Sequence, residues 1–315
     1  MTNKIEPQTQ STQGSDLERW RLRASTLTEA LPFMRRYHGQ SIVIKYGGHA
    51  MASRELAQAF ARDVVMLKQC GVNPVVLHGG GPQIGDMLDR LHIESRFEDG
   101  LRRTDSSTMQ IAEMVLSGSI NKQIVADINQ AGGYALGLSG KDCRLIKVRK
   151  LTRTRRDLDS NIERVVDLGF VGQPDAIDPK ILEIIARTDI IPVIAPIGFD
   201  ADGQSYNINA DTAAGALAIA IQARRLLLLS DVDGILDKNG VLIPELGLND
   251  VQPLIDSHVV RGGMVPKIET CAEVVQAGVD AAVILNGTWP HAIVLELFSP
   301  VGCGTLLRST LLRSS

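Results

Sequence analysis

Lys45 closes the apolar run Ser41-Ile42-Val43-Ile44 and is followed at once by the turn Tyr46-Gly47-Gly48-His49. A lysine that ends a buried strand must meet an anion or emerge into a cleft, because an unpaired ammonium is costly to bury. A second turn, Gly79-Gly80-Gly81-Pro82, stands between the strand-like Val75-Val76-Leu77 and a helix-like segment from Gln83 to Leu91. Glycines there let main-chain N–H groups approach an anion with no Cβ in the way, beside the positive end of a helix dipole. Lys267 opens a helix after Arg261-Gly262-Gly263-Met264-Val265-Pro266. A cation at a helix start works against the macrodipole, which argues for a local purpose. Asp211, in Asn207-Ile208-Asn209-Ala210-Asp211-Thr212, reads either as the cap of the next helix or as a carboxylate between the lysines, and the two uses are compatible. Two lysines on one aspartate, with glycine N–H groups, would supply the charge neutralisation that phosphoryl transfer needs. The bland alternatives are a structural ion pair and two plain tight turns.

Known phosphate motifs fit poorly. Ile84 stands where the third glycine of GxGxxG belongs, and Gly137-Leu138-Ser139-Gly140-Lys141-Asp142 lacks the full P-loop spacing.

The elements that must position these residues alternate regularly. The pattern predicts strands at 41–45, 74–78, 134–138, 190–195, 225–230, 281–285 and 304–307, and helices at 53–70, 82–91, 105–131, 174–187, 211–223, 266–277 and 290–297. Continuous apolar strands between helices imply a parallel sheet covered on both faces. Ligands of such sheets lie beyond the carboxyl ends of the strands, where Lys45, Gly47, Gly48, Asn207, Ser230 and Asp231 fall. The segment 144–156 reads as a strand or hairpin with a basic, solvated face, and 164–171 as a further hairpin-like stretch. Asp16 to Tyr37 carries an apolar stripe that Pro32 should break, and it packs either on its own domain or on a neighbouring subunit. Met1 to Ser15 reads as a disordered tail. No repeat or long linker appears, so the two halves should share one sheet or abut closely.

A formal net charge of -3 gives no global reason to bind nucleic acid or an anionic membrane. The basic cluster from Arg144 to Arg156 lacks the interleaved aromatics that stacking on bases would use. Cys70, Cys143, Cys271 and Cys303 form no CxxC pair, so a reducing, cytoplasmic setting is expected, with neither a zinc site nor a disulfide framework. No apolar run approaches a membrane span.

The segments Ile44-Lys45-Tyr46-Gly47-Gly48, His78-Gly79-Gly80-Gly81-Pro82, Gly100-Leu101-Arg102, Tyr206-Asn207-Ile208-Asn209-Ala210-Asp211 and Gly262-Gly263-Met264-Val265-Pro266-Lys267 together resemble the ordered motifs of the acetylglutamate kinases, within the amino acid kinase family. The resemblance runs from about residue 26 to 309. It implies an α/β fold, an open three-layer αβα sandwich with a mainly parallel central sheet. It further implies an N-terminal lobe, 38–222, for N-acetyl-L-glutamate, and a C-terminal lobe, 223–315, for ATP with Mg2+. By the same resemblance Lys45 and Lys267 act on the transferring phosphoryl group, Asp211 positions both, and Gly48 and Gly80 donate N–H groups. Gly80, Gly81, Arg102 and Asn207 hold the acceptor, whose γ-carboxylate attacks ATP. Lys45, Gly47, Gly48, Ser230, Asp231 and Lys267 border the nucleotide.

The helix at 16–37 resembles that of the arginine-inhibited members, where it links dimers into a hexamer, a trimer of dimers. His291, Glu296 and Gly302 match the family's L-arginine-contacting pattern. The chain departs from the common pattern at Arg103 and at Asn286-Gly287-Thr288. Alternatives at this stage are a sister kinase with another acceptor and a non-catalytic arginine-sensing scaffold.

Overall fold

The computed structural model describes residues 11–51, 53–98, 101–156 and 163–309. Helix α1 (Ser11–Tyr37) precedes β1 (Ser41–Tyr46), α2 (Arg54–Gln69), β2 (Asn73–His78) and α3 (Gly81–Arg90). A short hairpin, β3 (Phe97–Glu98) and β4 (Leu101–Arg102), leads into α4 (Ser106–Glu113), a π-helical segment (Met114–Ile120), α5 (Asn121–Gln130) and β5 (Tyr134–Ser139). Then follow β6 (Ile146–Arg156), β7 (Glu163–Ile177), α6 (Lys180–Ala186), β8 (Ile190–Ala195), β9 (Ile197–Phe199), β10 (Ser205–Ile208) and α7 (Ala210–Ala220). The chain ends with β11 (Arg225–Ser230), β12 (Glu245–Gly247), α8 (Leu248–Asp256), α9 (Met264–Gln276), β13 (Ala281–Asn286), α10 (Ala292–Phe298) and β14 (Thr305–Arg308).

Eight strands form one sheet in the order β12-β14-β13-β11-β1-β2-β8-β5. Only β14 runs against its neighbour β13, so the sheet is mainly parallel. Alternate side chains of one strand face opposite layers: Ile42 and Ile44 join the core with α2, α5 and α10, whereas Val43 joins the core with α7 and α9. Both faces of the inner strands β1, β2, β8, β11 and β13 are dry, which is why they read as continuous apolar runs. The three-layer arrangement and the shared sheet agree with the sequence reading, since β11 pairs with β1 across the boundary at 222–223.

Four expectations need correction. The stretch 174–187 is not one helix: β7 runs to Ile177, because its pairing with β6 continues through Pro174, and α6 starts at Lys180. The helix drawn at 105–131 is interrupted by the π-helical segment. Helix α1 begins at Ser11, inside the stretch read as a tail, and passes through Pro32 unbroken. Pro32 forgoes one helical N–H bond, while Ala30, Phe33, Met34 and Tyr37 pack on the core around it. Residues 1–10 of the expected tail lie outside the described residues. Finally, 164–171 is no separate hairpin: it lies in β7, which pairs antiparallel with β6, the strand form of the basic segment, and the two close with β9 and β10 into a four-stranded barrel beside the main sheet.

Candidate active site

Lys45 projects from the carboxyl end of β1, between β2 and β11. Asp211 arrives from the first turn of α7. The cap of that helix is Asn209, whose Oδ1 accepts from the N–H groups of Asp211 at 2.9 Å and Thr212 at 3.1 Å. The Asp211 carboxylate is thereby left to the lysines. Lys267 Nζ, on the first turn of α9, donates to Oδ2 at 2.6 Å. Lys45 Nζ lies 3.2 Å from Oδ1, a looser contact than that of Lys267.

Lys45 and Asp211 are each only 8% exposed. Burial pulls the Lys45 ammonium below its ordinary value, Lys267 adds to the fall, and Asp211 opposes it. Burial alone would raise the Asp211 carboxyl, but the two lysines together hold it below the ordinary carboxylate value. Two cations on one carboxylate leave the trio net positive, with Asp231 attracting Lys45 from farther away. A net cationic trio in a partly dry cleft favours an anion.

The glycine turns lie side by side. Gly79 N–H donates to Tyr46 O at 2.7 Å, and a Cβ on Gly47 would come within 3.2 Å of Gly79 N. Gly48, at φ 63°, turns the chain into a short 3-10 segment that Tyr46 holds through an Oη–H bond to Ala50 O at 3.1 Å. No side chain caps α3, whose N-terminus borders the cavity behind Gly80 and Gly81. The wall beside Gly80 is the π-helical segment: a Cβ there would push into Leu116 and Ile120. Such π segments recur at functional sites because they re-aim side chains without ending a helix.

His78 is fully buried below this turn, and burial pushes its imidazole down to about 4, so it is neutral. Its partners assign the tautomer: Nδ1–H donates to Gly79 O at 2.9 Å and Nε2 accepts from Asn121 Nδ2 at 3.3 Å. Asn121 also donates to Val193 O at 2.9 Å, which ties α5 and β8 to the glycine turn. Sequence reasoning quoted His78 only as part of a motif and did not single out Asn121 or the π segment.

Lys45, Gly80, Gly81, Arg102, Asn207 and Asp211 line one cavity of about 230 Å³. The Arg102 guanidinium donates to Gly81 O at 2.9 Å and to Ser95 Oγ, and stacks 4.5 Å over the Phe97 ring. Both acceptors are neutral, so among the described residues this buried cation has no carboxylate in contact. A second cavity of about 880 Å³ also reaches Asp211 and is bounded by Gly262, Gly263, Lys267 and, from β7, Gln173. Ser230 ends β11 next to β1, Asp231 follows it, and neither lines either cavity. Among the described residues no group of three His, Cys, Asp or Glu side chains could hold a metal.

The remaining sequence candidates gather at α10, apart from Lys45. Glu296 Oε2 accepts from the N–H groups of Cys303 at 2.8 Å and Gly304 at 3.3 Å, and Gly302 packs against the carboxylate. Burial raises the Glu296 carboxyl, and Arg225 attracts it only from a distance. Arg225 Nε donates to Tyr37 Oη at 3.1 Å, which fastens the end of α1 to β11. His291 is drawn away from Glu296 to Asp63, at 2.6 Å. Asn286 and Thr288 share a turn tied to Asp233: Asn286 Oδ1 accepts from Thr288 N–H at 2.9 Å, and Nδ2 donates to Asp233 at 2.8 Å.

Comparison with known proteins identifies the family of the chain. The model of the amino acid kinase family matches residues 40–286. The acetylglutamate kinase of Rhodospirillum centenum is 63% identical over 290 residues, covering 92% of this chain and 95% of its own. That of Rhodospirillum rubrum is 61% identical over 293 residues, covering 93% and 94%. Among solved structures, N-acetylglutamate synthase from Neisseria gonorrhoeae, with coenzyme A and N-acetyl-glutamate, superposes with a TM-score of 0.79 at 22% identity. That match covers 92% of this chain but only 64% of the synthase chain, and it speaks for the fold alone. The chain belongs to the amino acid kinase family.

Proposed function

We infer that this chain is an ATP-dependent kinase that phosphorylates the γ-carboxylate of N-acetyl-L-glutamate to give N-acetyl-L-glutamyl 5-phosphate, a step of arginine biosynthesis. The observation that carries the reading is the meeting of two cavities at Asp211, with Lys45 and Lys267 on its two oxygens and, inside the smaller one, Arg102, whose hydrogen bonds among the described residues go to neutral acceptors. Arg102 clasps the acceptor's α-carboxylate, and Asn207 with the Gly80–Gly81 main chain takes the acetamido group. The γ-carboxylate is ionised near neutral pH and attacks the terminal phosphorus of ATP with no base. Its oxygen forms the new bond, the bridging bond to ADP breaks, and the pair of electrons leaves with ADP. Lys45, Lys267 and the N–H groups of Gly48 and Gly80 face the charge that spreads over the transferring group.

The nucleotide lies on the second half of the sheet, 223–315, by Gly47, Ser230 and Asp231, and the acceptor on the first half, 38–222. Magnesium would arrive on the nucleotide phosphates and would need no cage of protein carboxylates, as is usual for that ion. Its chemistry is to neutralise phosphate charge.

L-Arginine is read as an inhibitor at Glu296 and Gly302, with the exposed ring edge of His291 at the rim. Its guanidinium supplies the counter-charge that the Glu296 carboxylate lacks. Helix α1 leaves Leu17, Trp20, Leu22, Leu27 and Leu31 exposed beyond its packed end, which supports a role in joining dimers into a hexamer. Four unpaired cysteines accord with a cytoplasmic, reducing setting, and among the described residues no helix is long and apolar enough to cross a membrane.

Purified protein given ATP, magnesium and N-acetyl-L-glutamate releases ADP and yields a hydroxamate with hydroxylamine. A signal with aspartate, glutamate or carbamate in its place, and none with N-acetyl-L-glutamate, would reassign the acceptor.

A further inference from the structure

At the amino-terminal end of the strands, opposite Lys45, the ladder between β2 and β8 is incomplete. These strands pair only at Val76 with Val193 and Leu77 with Ile194. In the same register Val75 would meet Pro192, and Pro74 would meet Ile191. Neither proline has an N–H to give, so the ladder stops where both strands begin. The gap opens into a cavity of about 290 Å³ between the starts of β1, β2 and β8 and the carboxyl ends of α6 and α7.

The lining is divided. Leu182, Ile185, Ile190, Ile219 and Ile221 supply branched apolar walls on the α6 and α7 side. On the other side stands Lys68, half-buried at the end of α2, donating to the neutral Asn73 Oδ1 at 3.0 Å. Asp189 attracts it from farther away, and Glu183, the acidic residue of the lining, is exposed on the outer rim. The most desolvated charge facing the space is therefore a cation with a neutral contact. The partial negative ends of α6 and α7 repel an anion from the apolar side and confine it to Lys68.

We propose that this cavity is a second ligand site, taking a small monocarboxylate with a branched apolar body. The carboxylate meets Lys68 and Asn73, and the hydrocarbon fills the space between α6 and α7. Both elements that bear the catalytic pair at their far ends, β1 with Lys45 and α7 with Asp211, border the cavity here through Ser41 and Ala220.

The test is calorimetric titration of the full chain with 4-methylpentanoate and with its neutral amide. The acid binds wild type saturably, and the amide binds at least about 10-fold more weakly, the size expected for losing a charge-assisted contact. Lys68→Met removes the preference for the acid, and Ala220→Phe, which fills the space, abolishes binding of both; circular dichroism verifies that each variant is folded. Absence of saturable acid binding to wild type, equal binding of acid and amide, or acid binding unchanged in both folded variants overturns the proposal.

Discussion

Two desolvated carboxylates, the buried Asp211 and the half-buried Glu296, show what a counter-charge decides. Both lose water, and for both the largest single influence is burial, which raises a carboxyl. Asp211 nevertheless ends below its ordinary value because two lysines press on it, one through each oxygen. Glu296 ends above it, since two main-chain N–H groups and a distant Arg225 do not make up for the lost solvation. The first site is complete in cations and lacks an anion; the second is complete in anion and lacks a cation. One suits a phosphoryl group and the other a guanidinium.

The comparison breaks most severely if Asp211→Asn leaves the protein intact. Removing the shared carboxylate strands two lysines in a dry cleft, and breaking such a buried pair costs about 3–5 kcal/mol. Chemical denaturation should register that loss along with loss of turnover. The sign with pH follows from the lowered Asp211 value: its stabilisation is present above about 3.8 and fades as pH falls through the folded value, so the gap between wild type and variant closes in acid.

Arg102 sharpens the contrast as a buried cation whose contacts are neutral. If its missing anion is the acceptor's α-carboxylate, Arg102→Ala should raise KM for N-acetyl-L-glutamate by about 10-fold to 100-fold, as charge-assisted bonds of roughly 1.5–3 kcal/mol imply. The KM for ATP should stay within a factor of a few, and steady-state kinetics in each substrate separates the two.

At Glu296 the opposite pH sign applies. Its raised carboxyl contributes stability that is present below about 4.5 and lost as pH rises through the folded value, so Glu296→Gln should gain thermal midpoint relative to wild type as pH rises above about 4.5. The same variant should keep its turnover and lose arginine inhibition. In wild type, inhibition should weaken as pH drops toward the raised Glu296 value. The smallest effect belongs to Tyr37→Phe. It leaves Arg225 Nε without its partner in a buried setting, at about 1–3 kcal/mol of stability, and loosens α1 from β11, readable by denaturation and by light scattering.

The sequence made the first of these two sites legible and the second only by resemblance. Lys45, the Gly79–Gly81 turn and Lys267 carry local signals, because an ammonium at a strand end and glycines before a helix are unusual choices. The apolar strands β1, β2, β8, β11 and β13 were equally plain, each dry on both faces. What stayed hidden depends on contacts distant in sequence. Strands β9 and β10 are three and four residues long, too short for a period, and exist because β6 and β7 offer edges. The role of Asp211 could not be separated from capping until Asn209 was seen to be the cap. His78 and Asn121 meet across 43 positions, and Asp63 reaches His291 across 228, which no local pattern announces.

The most direct test of the account is the single-turnover rate of phosphoryl transfer to N-acetyl-L-glutamate by Lys267→Ala at saturating substrates, with folding checked by circular dichroism. Loss of a preorganised contact to the transferring group predicts a fall of about 10²–10³ in rate. A folded variant that transfers at the wild-type rate would contradict the assignment of the lysine pair on Asp211 as the phosphoryl-transfer site.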